Sequence, residues 1–267
     1  MNEGAPRHER PHAGFAVWVL VASLAGGLTG GVVASALQRP AEPPPVGAAP
    51  GGARLDAAGA ARAVLPAVVT VLVGGSAGGS GTGVVIDKER GYIVTSSHVI
   101  QPPGSGRASD DVTILLADGR TIAATLLGND VNTDVAVLKA DGALPAQAVL
   151  SKDAVAVGSP VIAIGTPGSS ALAIGALSST VTSGVVSGTG RRIPREDLRS
   201  VTLTDLIQTD ASIGAGMSGG PLVLVSTGQV IGLTTLSIRA AADLGFAISA
   251  ATVRRIADEI IARGGGR

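Results

Sequence analysis

The chain of 267 residues carries 20 Lys and Arg against 20 Asp and Glu, so it lacks the basic excess that general nucleic-acid binding requires. It has no cysteine and only three histidines (His8, His12 and His98), which excludes disulfides, a thiolate nucleophile, Cys-ligated zinc and a His-rich metal site. Gly (39) and Pro (15) make up about a fifth of the residues, short of a low-complexity composition, and with 45% hydrophobic but 1% aromatic residues the core must be built from Val, Ile, Leu and Ala.

Residues 1–12 are polar and include Arg7 and Arg10. Residues 13–37 carry no charge, and at 1.5 Å per residue they reach roughly 37 Å, enough to cross a hydrocarbon core of about 30 Å. A transmembrane signal-anchor helix is expected there. Arg7 and Arg10 before it, against Arg39 after it, put the N-terminus in the cytoplasm and the remaining chain on the periplasmic or extracellular side. The alternative is a cleaved signal peptide: Phe15 to Ala25 has the length of a signal's apolar region, and Ala34-Ser35-Ala36 fits a cleavage site, giving a secreted product cut near Ala36. Residues 38–54 form a Pro/Gly-rich linker, semi-extended and unable to form a core.

From residue 55 onward short β-strands are expected. In order they are Gly83 to Asp87, Tyr92 to Ser96, 112–116, 121–127, 135–139, 161–165, 182–187, 221–225 and 229–235, all rich in Val and Ile. Asp118-Gly119 between the third and fourth is a hairpin signal. Helical period appears only at the end, where Val253, Ile256, Ala257 and Ile260 share one face. The pattern predicts an all-β barrel or sandwich with a C-terminal helix.

Three residues suggest chemistry when taken together. His98 sits at the end of a strand in VTSSHVI. Asp134 precedes a strand in NDVNTDVAVLK, with Asp130 as a competing acid. Ser218 lies in IQTDASIGAGMSGGPLVL, a Gly/Ser segment that runs straight into an apolar strand. A serine hydroxyl is a poor nucleophile until a base takes its proton, which neutral His can do near physiological pH. A carboxylate on the other ring nitrogen fixes the tautomer and stabilises the imidazolium. Glycines before the nucleophile let backbone N–H groups turn toward a developing oxyanion.

Across residues 60–262 the chain resembles the HtrA/Deg family of trypsin-like serine proteases. The segments that carry the likeness include LPAVVTV (65–71), GSGTGVVID (79–87), GYIVTSSHVI (91–100), NTDVAVLK (132–139), AIGTPG (163–168), IQTDASIGAGMSGGPL (207–222) and GFAIS (245–249). The resemblance implies two antiparallel six-stranded β-barrels, as in chymotrypsin, with the site in the cleft between them. It implies His98 as general base, Asp134 as its orienting acid and Ser218 as nucleophile, with the N–H groups of Gly216 and Ser218 as oxyanion hole. The implied reaction is endopeptidase hydrolysis of exported or misfolded proteins through an acyl-enzyme, with no cofactor or metal. The specificity pocket is expected from Ser212 and Ile213 and from Thr235 and Leu236, with no acid placed to attract Arg or Lys.

The chain departs from the family pattern at Ser96 and Met217, where the family usually has Asn. These departures keep open an alternative, a catalytically weak or inactive protease-fold binding or chaperone module. A PDZ domain is not expected after the C-terminal helix. Oligomerisation is left open. The stretch from Val186 to Leu206, with Arg191, Arg192, Arg195 and Arg199, is expected as an exposed charged loop, which in relatives can sense activation.

Overall fold

The structure is a computed structural model that describes residues 55–74, 79–101, 108–109, 111–168, 179–194, 201–238 and 244–264. The expected anchor at 13–37, the polar segment 1–12 and the linker 38–54 lie outside the described residues. Among the described residues no helix is long and apolar enough to cross a membrane.

The strands β1 (Val68–Val73), β2 (Ser80–Asp87), β3 (Tyr92–Ser96), β4 (Val112–Leu115), β5 (Thr121–Asp130) and β6 (Val135–Ala140) close into a barrel in the order β1-β2-β3-β6-β5-β4. A second closed barrel has the order β10-β11-β12-β9-β8-β7, from β7 (Pro160–Gly165), β8 (Thr180–Pro194), β9 (Thr202–Thr209), β10 (Pro221–Leu224), β11 (Gln229–Ile238) and β12 (Leu244–Ser249). All the pairings within the barrels are antiparallel. The choice between barrel and sandwich is thereby resolved.

Small branched side chains fill the first barrel: Val71, Val84, Val94, Ile93, Ile114, Val137 and Leu138 are fully buried. Val135–Leu138 is buried at every position, so both faces of β6 are covered and strict alternation is lost. Part of that cover is α2 (Ala250–Gly264), which packs across β5, β6 and β11 and so touches both barrels. Its buried residues include Val253, Ile256, Ala257 and Ile260, the face expected from the sequence. The Ser249 hydroxyl accepts from Thr252 N–H at 3.2 Å and caps its first turn.

Five elements depart from the sequence reading. A short helix, α1 (Ala57–Val64), precedes the first barrel, capped by Asp56, whose Oδ1 accepts from Gly59 N–H at 2.6 Å. It is too short to show an apolar period, and its alanine content supplies the propensity. Strands β1, β9 and β12 were also not expected. β9 carries polar residues, and Asp205 within it takes φ 57, which breaks the extended pattern. Strand β8 runs on to Pro194, so Arg191 and Arg192 belong to a strand, not to a loop. Arg195 and Arg199 lie outside the described residues.

Candidate active site

β3 and β6 are neighbours, and their register pairs Ser96 with Val135. The residues just beyond that pair therefore meet: His98, in a single 3-10 turn (Ser97–Ile100), and Asp134, one residue before β6. The His98 Nδ1 lies 2.8 Å from Asp134 Oδ2, and the His98 backbone N–H donates to Oδ1 at 3.0 Å. The Asp134 carbonyl also accepts from Ser97 N–H at 3.0 Å. Asp134 adopts φ 60, a left-handed conformation that Asp tolerates better than most residues. Its side chain is 1% exposed and that of His98 33%, so the acid is sealed while the base reaches the cleft. Asp130, the competing acid, accepts instead from Asn132 N–H at 3.0 Å and from the Thr133 hydroxyl at 2.9 Å, and caps its own turn.

Ser218 comes from the loop 210–220 between β9 and β10. The Gly219 N–H donates to the Thr234 carbonyl at 2.7 Å, and Thr234 N–H donates to the Gly220 carbonyl at 2.8 Å, which lays the loop along β11. Two carbonyls in this loop have fixed directions. That of Ala215 accepts from Gly168 N–H at 2.8 Å. That of Met217 accepts from the Thr234 hydroxyl at 2.6 Å and from Gly220 N–H at 3.0 Å. In a planar trans peptide the N–H points opposite to the carbonyl, so these bonds set the directions of the Gly216 and Ser218 N–H groups.

A β-bulge completes the arrangement. Thr234 pairs with Ala247 but Leu236 with Phe246, so Thr235 is the extra residue. It turns its hydroxyl to Asp134 Oδ2 and offers its carbonyl to the Ser218 hydroxyl, which donates to it at 3.0 Å. The structure thus brings Asp134, His98, Ser218 and Thr235 together. Thr235 was expected only as a pocket wall; its contact with Asp134 has no local sequence signal, because the two residues are 101 positions apart.

Of the other pocket residues, Ile213 is buried with its side chain against the Gly245 backbone on β12. Ser212 is exposed, and its carbonyl accepts from the Thr182 hydroxyl at 2.8 Å. Leu236 lies within β11. The two departures from the family pattern have distinct places. Ser96 is fully buried, and its hydroxyl donates across to the Thr234 carbonyl at 3.2 Å. Met217 is 2% exposed and joins the second barrel's core with Val161, Ile213 and Leu222.

The family described as trypsin-like peptidase domain matches residues 81–233, which contain His98, Asp134 and Ser218. The chain belongs to that family. The chain is 39% identical over 192 residues to serine endoprotease DegS of Salmonella typhimurium, covering 69% of this chain and 49% of that one. It is 37% identical over 193 residues to the serine protease Do-like HtrA of Bacillus subtilis, covering 70% and 40%. The crystal structure of the serine endoprotease from Yersinia pestis superposes with a TM-score of 0.62 at 35% identity, over 77% of this chain and 66% of that one. The chain spans about half or less of the length of these two curated relatives.

Proposed function

We propose that the chain is a serine endopeptidase of the HtrA type, acting on exported or misfolded polypeptides. The observation that carries this reading is the buried Asp134 bound at once to His98 and to Thr235, whose carbonyl in turn accepts from the Ser218 hydroxyl. In the proposed reaction the Ser218 hydroxyl turns from the Thr235 carbonyl toward His98 Nε2. Such a bond is commonly unformed without substrate and tightens on binding. His98 takes the proton as Oγ attacks the peptide carbonyl, and Asp134 keeps the other ring nitrogen protonated and stabilises the imidazolium. The N–H groups of Gly216 and Ser218 bind the oxyanion. The tetrahedral adduct collapses as His98 protonates the leaving amine. Water, deprotonated by the same base, then hydrolyses the acyl-enzyme.

Ser212 and Ile213 bring no charge to the pocket, and the nearby Asp210 uses its Oδ1 to accept from Val185 N–H at 2.7 Å. Cleavage is therefore expected after small or medium apolar residues such as Val, Ala or Leu. A peptide-library profile favouring Arg or Lys would overturn that. The uncharged segment 13–37 supports a single membrane tether with this domain on the extracytoplasmic side.

The test is intact-mass detection of a fluorophosphonate adduct on the full chain, with and without added unfolded protein, and with Ser218→Ala as control. An adduct on the wild type and none on the variant is expected. The Ser218 hydroxyl's bond to Thr235 favours a second reading, a protease-fold binding module, and no adduct under either condition would leave that reading standing.

A further inference from the structure

Thr82 is fully buried in β2, on the first barrel, yet much of its polar capacity serves the second. Its backbone N–H donates to the Ser218 carbonyl at 2.9 Å. Its hydroxyl lies 2.8 Å from the Gly216 carbonyl and 3.0 Å from Thr166 N–H, just past the end of β7. The directions of these bonds are forced. An N–H only donates, so Oγ1 accepts from Thr166; a carbonyl only accepts, so the hydroxyl proton goes to Gly216.

The Gly216 carbonyl belongs to the peptide between the two whose N–H groups form the proposed oxyanion hole. Rotating that middle peptide changes ψ of Gly216 and φ of Met217; unless the two changes cancel, the N–H groups on either side of it turn relative to each other. Gly216 has φ 87 and no Cβ, so its own backbone offers little resistance to that rotation. The neighbouring peptides are held by Gly168 and Thr234, from the second barrel. The middle one is held at its N–H within the loop, where Met217 donates to the Gly214 carbonyl at 3.1 Å, and at its carbonyl from the first barrel.

We infer that Thr82 is a positioning residue for the hydrolysis proposed above: its hydroxyl holds the Gly216 carbonyl so that the N–H groups of Gly216 and Ser218 converge. This rests on the assignment of those two N–H groups as the oxyanion hole. The same hydroxyl ties the loop to Thr166, so the spacing of the two barrels and the shape of the hole are set together.

The experiment compares wild type with Thr82→Val, which keeps the shape and removes the hydroxyl, Thr82→Ser, which keeps the hydroxyl, and Thr70→Val. The last breaks the buried hydroxyl pair of Thr70 and Thr166 (2.8 Å) without touching the loop, and controls for stability. With a chromogenic peptide ending in an apolar residue, Thr82→Val should lower kcat about 10- to 100-fold, with KM within about threefold and fluorophosphonate labelling slowed in proportion. Thr82→Ser should stay within about threefold of wild type, and Thr70→Val should lower Tm but not kcat. Crystal structures of wild type and Thr82→Val read the peptide directly and need no turnover, which separates failure of this inference from failure of the proposed activity. The Gly216–Met217 peptide is expected to be rotated in the variant. An unmoved peptide, an unchanged kcat, an equal kcat loss in Thr70→Val, or a Thr82→Val chain that fails to fold while Thr70→Val folds would each overturn the inference.

Discussion

In the first barrel the site residues sit at the ends of regular strands, His98 two residues past β3 and Asp134 one before β6, joined by three short hydrogen bonds between neighbouring segments. In the second, Ser218 sits on an irregular loop whose shape is set peptide by peptide through Gly168, Thr234 and Gly220. The second barrel is also the less regular, with register shifts in β8–β9, β10–β11 and β11–β12. A strand register suffices to hold an acid and a base, because each is one side chain. An oxyanion site needs two backbone donors aimed at one point, which a regular strand, with its alternating N–H groups, does not present.

That contrast can be broken most strongly from the first barrel. Asp134→Asn keeps the left-handed backbone, which Asn also tolerates, but lets an amide face the ring nitrogen and favours the wrong tautomer. Turnover should fall about 10⁴-fold with little change in melting temperature. Steady-state kinetics alongside thermal unfolding checks this, and a loss under about tenfold would move the acid elsewhere.

Gly219→Ala tests the loop. Gly219 has φ 85, and an added Cβ would lie 2.1 Å from the Thr82 carbonyl and 2.4 Å from Thr95 Oγ1. Turnover should drop about 10²–10³-fold, the scale of losing an oxyanion donor, and stability should fall by about 2–4 kcal/mol from strain and overpacking. Unlike Asp134→Asn, it should show in urea denaturation as clearly as in kinetics.

Met217→Ala sharpens the comparison further. Removing this buried side chain should cost about 2–4 kcal/mol, whereas Met217→Leu, close in volume, should cost less than about 1.5 kcal/mol. Both are read by urea denaturation, and equal costs would mean that burial does not anchor the loop.

The smallest effect is expected at Asp118, in the β4–β5 turn of the first barrel. The Arg120 backbone N–H and then its guanidinium hold this carboxyl below its ordinary range. A lowered folded value means that its contribution is present above the ordinary carboxylate range and is lost as pH falls through the lowered value. The pair is exposed, so Asp118→Asn should barely shift melting at neutral pH and leave turnover unchanged.

Much of the first barrel was legible. β2 to β6 follow Val/Ile runs and a hairpin dipeptide, and only β1, within the family-like LPAVVTV, lacks a strand expectation. In the second barrel β9 and β12 were lost, because polar residues and glycine dilute their apolar signal and neighbouring strands supply the stability instead. The residue types of the proposed site were readable because the proposed acid, base and nucleophile each need particular chemistry. Asp130 and Asp134 were separated first by motif and then by register, since only Asp134 adjoins the strand paired with β3.

The sequence by itself determined the strand-rich composition, the apolar face of α2 and the set of His98, Asp134 and Ser218, because propensity, period and side-chain chemistry are local properties. Tertiary structure alone decided how the barrels meet. Thr82 reaches Gly216 across 134 positions, Ser96 reaches Thr234 across 138, and Thr70 reaches Thr166 across 96. Each is a small hydroxyl residue whose distant partner has no sign in the neighbouring sequence. Buried, each hydroxyl must find a partner, and the partners exist only once both barrels have closed.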